Sequence, residues 1–143
     1  MDSNHLSSLH TKISAIASGA LFLSTIVPLI FYRPIFNYYT APKAFFLFAV
    51  AEITFVILLW LIQTQPSLKP ARGLITVALL VFVITQILAS LLGADPWNSL
   101  WSQPGRMTGV FLLIHLLGLF IAMVALLRTT SAWRNFFCLH VLV

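Results

Sequence analysis

The chain has 143 residues, of which 60% are hydrophobic and only 8% are charged, and its mean hydropathy is +1.01. A water-soluble domain contains about 25% charged residues, so this composition excludes a soluble globular fold and indicates that the lipid bilayer is the solvent. The formal net charge of +5 is scattered along the chain, which excludes a nucleic-acid-binding surface. The single cysteine, Cys138, excludes an intrachain disulfide.

Apolar stretches long enough to span a bilayer as helices predict an all-α, polytopic membrane bundle. The predicted spans are residues 13–32, 44–62, 74–92 and 110–127, followed by the start of a fifth span at 135–143. Residues 1–12 are predicted to form a polar tail. Because the fifth stretch covers only about half a bilayer, we expect residues 13–143 to be the N-terminal part of a longer transmembrane region.

The basic residues predict the orientation of this bundle. On one side of the predicted spans lie Lys12, Lys69, Arg72, Arg128 and Arg134, and on the other side lie Arg33, Lys43 and Arg106. Cytoplasmic loops of membrane proteins carry the excess of lysine and arginine. The larger group therefore predicts a cytoplasmic N-terminus and places the loop formed by residues 93–109 on the outer face.

Apart from hydroxyl and aromatic side chains, the polar side chains inside the four complete predicted spans are Glu52, Gln86 and His115. At the helical rise per residue they lie about 13, 10 and 9 Å below the outer ends of their helices. Similar depths on three helices predict one buried, hydrogen-bonded cluster facing the bundle interior. Such a cluster either holds the helices together or handles protons or substrate in a cavity, and the sequence leaves both interpretations open.

The loop at residues 93–109 is the polar segment between two apolar spans. Asp95 precedes Pro96 and so favours a turn, and Asp95 and Ser99 are suited to capping a short helix. Trp97 and Trp101 are four residues apart, so a helix would place both rings on one face at the membrane surface. Further along this loop, Arg106 is predicted to lie at the outer mouth, either as a phosphate ligand or as a headgroup anchor or partner of Asp95.

Several short elements of the chain resemble the O-antigen ligase-like family of bacterial membrane proteins, the O-antigen ligases and polymerases. In the loop these are Gly93-Ala94-Asp95-Pro96, Ser99-Leu100-Trp101-Ser102 and Arg106-Met107-Thr108-Gly109. The next helix contains Leu113-Ile114-His115-Leu116, which is similar to the helix that follows this loop in the family. Residues 41–46 with Glu52, and residues 131–134, resemble the family's flanking segments.

The resemblance implies a large helical bundle in the bacterial inner membrane, with several membrane-spanning segments. It also implies a glycosyltransferase that moves glycan from an undecaprenyl-diphosphate-linked donor on the outer face, without metal or cofactor, in lipopolysaccharide or polysaccharide biosynthesis. The family's catalytic loop lies several helices further on, so we expect this chain to be inactive alone. By position, Arg106 is the first candidate for contacting the donor diphosphate and Lys43 the second.

Two other functions fit the sequence. The lack of a complete catalytic constellation is typical of a small membrane scaffold or assembly protein. The intramembrane polar residues also fit part of a transporter in which Glu52 and His115 relay protons.

Overall fold

The described residues form helices and no strand in a computed structural model of the chain. These residues are 3–30, 33, 40–70, 73–102 and 108–143, with the backbone alone described for residues 3–7. The α-helices are α1 (Ser3–Leu23), α2 (Ala41–Thr64), α3 (Leu74–Leu92), α4 (Pro96–Trp101), α5 (Val110–Leu126) and α6 (Thr130–Leu142). Short 3-10 segments, Ser24–Leu29 and Pro66–Leu68, follow α1 and α2. The predicted all-α class is confirmed for the described part of the chain.

Three of the helical stretches are long and apolar enough to cross a membrane: Ser8–Leu29, Ala41–Thr64 and Leu74–Leu92. The next apolar helix, α5, is shorter at 17 residues, or about 25 Å. The prediction of apolar helices long enough to cross a membrane is therefore confirmed for these three. The fourth span, the start of a fifth and the orientation of the bundle stay predictions.

Two helices begin earlier than the apolar pattern indicates. Helix α1 starts at Ser3, so that the described part of the predicted tail, residues 3–12, is helical. Helix α6 starts at Thr130 and not near residue 135, because the Thr129 hydroxyl accepts a hydrogen bond from the Ala132 backbone N–H at 3.2 Å. Such an N-cap stabilises the first turn of a helix whatever its hydropathy.

Helices α2 and α5 pack side by side and run in the same direction. The Phe48 and Phe111 rings meet edge to face, 5.3 Å apart, and further along Leu58 packs against Ala122 and Ala125, all three fully buried. The contacting residue numbers rise together along both helices, which defines a parallel pair. The small alanine side chains let the two backbones approach closely, as is common between membrane helices.

The neighbouring helices run the opposite way. Helix α3 is antiparallel to α5, since Ser90 lies near Val110 at one end and Leu79 near Phe120 towards the other. Helix α1 is antiparallel to α2, since Ala17 packs in one cluster with Leu61 near the end of α2. Further along α1, Leu21 packs in one cluster with Val50, which lies earlier in α2. Successive long helices therefore alternate in direction.

This alternation gives the bundle two distinct ends. The start of α2, the end of α3 and the start of α5 lie at one end, which we call the mouth end; Lys43 and residues 93–102 belong to it. The other end, the base, holds the α2–α3 connection, where an Arg128 guanidinium N–H donates to the Ser67 carbonyl oxygen. Lys43 and the polar loop thus lie at the same end, and which end faces the cytoplasm stays a prediction.

Candidate functional site at the mouth of the bundle

The short helix α4 is fixed by Asp95. One Asp95 carboxylate oxygen accepts the Asn98 backbone N–H at 3.1 Å, and the other accepts the Asn98 side-chain amide at 2.7 Å. The Ser99 hydroxyl donates to the Asp95 carbonyl oxygen at 2.9 Å, and Pro96 occupies the first helical position, where its missing N–H costs nothing. Asp95, Pro96 and Ser99 therefore fix the start of α4 at the mouth end.

Aromatic stacking places α4 across the start of α5. The Trp101 ring stacks on the Phe111 ring at a centroid distance of 4.4 Å and an interplanar angle of 28°, and the Trp97 ring is 5.9 Å from that of Trp101. The two tryptophans share a side of α4, as their spacing predicts, and Trp97 is 70% exposed. An amphipathic tryptophan in this position suits the headgroup region of a membrane.

Gly109 allows α4 to approach α5 so closely. A Cβ atom at this position would lie 2.6 Å from the Leu100 carbonyl carbon and 2.8 Å from that of Trp101, which is far inside van der Waals contact. Ser102, at the end of α4, adopts a φ of 64°, which is uncommon for a residue other than glycine. Its hydroxyl lies 3.2 Å from that of Thr108, and this hydrogen bond joins the two sides of the loop.

A polar cavity of about 330 Å³ lies beneath α4, between the end of α3 and the start of α5. We call it the mouth pocket; it is lined by Gln86, Ala89, Ser90, Ser99, Thr108, Gly109, Val110 and Leu113. The Gln86 and Ser90 side chains hydrogen-bond to no described residue, and the Val110 backbone N–H, at the start of α5, has no backbone acceptor among the described residues. The pocket therefore presents hydroxyl, amide and N–H groups that are able to bind a polar ligand.

Of the two cations predicted to contact the donor diphosphate, Lys43 and Arg106, the structure describes only Lys43. Lys43 lies in the first turn of α2, half-buried at the mouth end, and forms no ion pair with a described residue. Arg106 lies outside the described residues. Within the described ranges, no three His, Cys, Asp or Glu side chains converge in the way a metal site requires.

No protein-family model matches the chain, and no curated protein and no solved structure matches it either. The likeness to O-antigen ligases accordingly stays a prediction from the short sequence elements.

The structure brings Glu52 and His115 together and leaves Gln86 apart from them. The His115 Nε2 atom lies 2.9 Å from the Glu52 Oε1 atom. Gln86 packs near Leu113 in the mouth pocket instead, because positions 113 and 115 point to different sides of α5 at about 100° per residue. The pair also differs from the expected buried cluster, since the Glu52 side chain is 62% exposed and only His115 is buried.

Both ring nitrogens of His115 have a hydrogen-bond partner. Its Nδ1 atom lies 2.7 Å from the Phe111 carbonyl oxygen, which only accepts, so Nδ1 carries a proton. The contact between Nε2 and Glu52 must then contain a proton as well, on the carboxyl group or on Nε2. In either arrangement the proton of this contact lies between Nε2 and Oε1.

Sequence reasoning did not assign Ser90, Thr108 or the Phe111 carbonyl group to a site. Ser90 lies four residues after Gln86 on the same helical face, and this spacing is the signal that identifies it. Thr108 directly precedes the close-approach Gly109. The Phe111 carbonyl group accepts a hydrogen bond from the side chain of His115, four residues later. No feature of the sequence predicts this contact.

Proposed function

We propose that the chain is the N-terminal part of an integral membrane glycan transferase of the O-antigen ligase or polymerase type. In this proposal it binds an undecaprenyl-diphosphate-linked glycan on the outer face of a bacterial inner membrane. The observation that carries the proposal is the mouth pocket, an open hydroxyl- and amide-lined cavity at one end of an apolar bundle, bordered by a helix with an exposed tryptophan.

The chemistry of such a donor matches what the mouth end offers. Its isoprenoid chain is soluble in the bilayer, and its diphosphate and sugars are confined to the interface. Sugar hydroxyls and phosphate oxygens form hydrogen bonds with serine, threonine and amide groups, and Lys43 is available at the same end as a cation for the diphosphate. None of the described residues is assigned a catalytic role, so we propose donor binding and not complete transfer for this chain.

Binding of undecaprenyl diphosphate to the purified chain in lipid nanodiscs tests this proposal. Because a hydrogen bond to a charged group contributes about 1.5–3 kcal/mol, we expect Lys43→Ala to weaken binding by about tenfold or more. Arg106→Ala should act in the same direction. Lys69→Ala, the same substitution at an exposed position of the base, is the matched control and should change nothing.

Two results would contradict the proposal. One is equal loss of affinity in Lys43→Ala and Lys69→Ala, which would indicate nonspecific attraction of the lipid to any positive charge. The other is binding of undecaprenol, which has no diphosphate, as tightly as undecaprenyl diphosphate.

The Glu52–His115 pair favours a second candidate function, proton-coupled transport. A carboxyl and an imidazole that share one proton at 2.9 Å are the elements from which membrane proton relays are made. Replacing Glu52 with Gln removes the transferable proton but keeps the shape and hydrogen bonding of the side chain. Glu52→Gln should therefore abolish pH-driven flux of the transported solute in vesicles, and unchanged flux would reject this candidate.

A further inference from the structure

The mouth pocket continues into a second cavity along the contact between α3 and α5. This cavity, which we call the crevice, has a volume of about 270 Å³ and is lined by Leu79, Phe82 and Val83 of α3 and by residues of α5 between Leu113 and Phe120. Leu113 lines both cavities. The mouth pocket and the crevice therefore adjoin each other, and we call the two together the α3–α5 groove.

The residues that line the groove have the spacing of a single helical face. On α3 they follow one another at intervals of three or four residues, through Leu79, Val83, Gln86 and Ser90. On α5 the same intervals run through residues 109–120. Residues three and four apart are neighbours on the surface of a helix, so one face of each helix forms the groove along its whole length.

The groove changes from polar to apolar with depth. At the mouth end its α3 face carries Gln86 and Ser90, whereas the described residues of the crevice are all hydrocarbon side chains. At the helical rise per residue, Val83 and Leu79 lie about 10 and 16 Å below Ser90. A ligand that fills the groove therefore has a hydrogen-bonding group at one end and hydrocarbon beyond it.

The crevice is open at the side of the bundle. Phe82 and Leu116, which line it, are 48% and 40% exposed, whereas Val83 is buried. A hydrocarbon chain is therefore able to enter sideways from the bilayer. Its head group then reaches the mouth pocket along the membrane interface and does not have to cross hydrocarbon.

The length of the groove favours a lipid chain over another helix as its occupant. From Ser90 to Leu79 the groove spans about 16 Å, or roughly half of the hydrocarbon core of a bilayer. A lipid chain occupies a single leaflet, whereas a transmembrane helix crosses the whole core. The residues of α3 nearer the base, 74–78, line neither cavity, so the groove does not continue along the path that a helix would take.

We propose that the crevice holds the first part of the isoprenoid chain of the lipid whose diphosphate and sugars bind in the mouth pocket. This inference rests on the proposed function for the identity of the head group and adds the position of the chain. The hydrocarbon next to the diphosphate lies between α3 and α5, and the remainder extends into the bilayer. Because the chain exchanges one apolar environment for another, packing in the crevice and not the hydrophobic effect distinguishes this chain from other lipids.

Two photoactivatable analogues of undecaprenyl diphosphate test the position of the isoprenoid chain on the full-length protein in nanodiscs. The head probe carries a diazirine beside the diphosphate. The chain probe carries it about 10–16 Å further along, at the depth of the crevice. We expect the head probe to label the mouth pocket and the chain probe to label residues 79–83 and 116–120, with competition by unlabelled undecaprenyl diphosphate in both cases.

Filling the crevice provides a matched pair of variants. Leu79→Trp places a larger side chain in the crevice, and Leu80→Trp makes the same substitution at the next position, which is exposed and does not line the crevice. We expect Leu79→Trp to reduce labelling by the chain probe and to weaken binding of undecaprenyl diphosphate by about fivefold or more. Leu80→Trp should change neither.

The outcomes separate this inference from the function on which it rests. Labelling of the mouth pocket by the head probe, together with labelling by the chain probe only outside the crevice, would overturn the inference and leave the proposed function standing. Absence of competed label from both probes in the groove would contradict both.

Two further results would also overturn the inference. One is crevice labelling by a phosphatidylcholine with a diazirine in its acyl chain that undecaprenyl diphosphate does not displace, since an ordinary bilayer lipid would then be the occupant. The other is equal weakening of binding in Leu79→Trp and Leu80→Trp. Circular dichroism of each variant comes first, and if Leu79→Trp fails to fold, the labelling pattern of the wild-type protein decides.

Discussion

Gly109→Ala is the substitution most directly linked to the architecture of the mouth end. The φ of Gly109 is −72°, which alanine adopts without strain, so the effect is purely steric. The added Cβ lies 2.6 Å from the Leu100 carbonyl carbon and 2.8 Å from that of Trp101. Both obstacles are backbone atoms, so relief requires α4 to move away from α5. Overpacking costs about 1–3 kcal/mol, and because the backbone must shift we expect a loss of about 2–3 kcal/mol.

Gly19→Ala is the matched control, because a Cβ at Gly19 meets nothing within 4 Å. Replacing an interior helix glycine by alanine stabilises a helix by about 0.5–1 kcal/mol, so the two substitutions should have opposite signs. The assay is unfolding by increasing SDS in mixed micelles, followed by circular dichroism. A free energy of unfolding for Gly109→Ala within about 0.5 kcal/mol of wild type, or equal losses in both variants, would refute the close approach of α4 and α5.

Further predictions concern the interior, the polar pair and the orientation. The buried Thr54 hydroxyl has no hydrogen-bond partner among the described residues, so Thr54→Val should raise the free energy of unfolding by about 1 kcal/mol; a loss in the same SDS assay would contradict this. A double-mutant cycle of Glu52→Leu and His115→Leu should give a coupling energy of about 0.6–2 kcal/mol, and additive losses would contradict their hydrogen bond. In intact cells of a cysteine-free variant, an impermeant thiol reagent should label Ser99→Cys but not Ser67→Cys, and the reverse pattern would invert the orientation.

Local sequence features predicted the helices well where glycine or proline marks their ends. Helix α3 occupies Leu74–Leu92, as predicted, because Gly73 and Gly93 flank an uninterrupted apolar run. The start of α6 could not be predicted from hydropathy, since the Thr129 side chain determines it. Capping depends on one hydrogen bond, whereas a hydropathy window averages over many residues.

The sequence predicted how deep the candidate side chains lie in the bundle. It did not predict which side of its helix each one occupies. Helical rise placed Glu52 and His115 at similar heights, and they are hydrogen-bonded. The same reasoning grouped Gln86 with them, although it lies in the mouth pocket, because depth does not define the side of a helix. The need for Gly109 arises from the approach of α4 to α5, which is a tertiary contact that no local pattern encodes.

Photo-crosslinking of the donor lipid tests the central claim most directly. An undecaprenyl diphosphate analogue with a diazirine next to the diphosphate is irradiated with the full chain in nanodiscs, and the modified peptides are located by mass spectrometry. The account predicts label in the residues of the mouth pocket, between Gln86 and Ser90 and between Thr108 and Leu113, with competition by unlabelled undecaprenyl diphosphate. Label confined to the base of the bundle, or spread evenly over the lipid-facing helices and insensitive to competition, would contradict it.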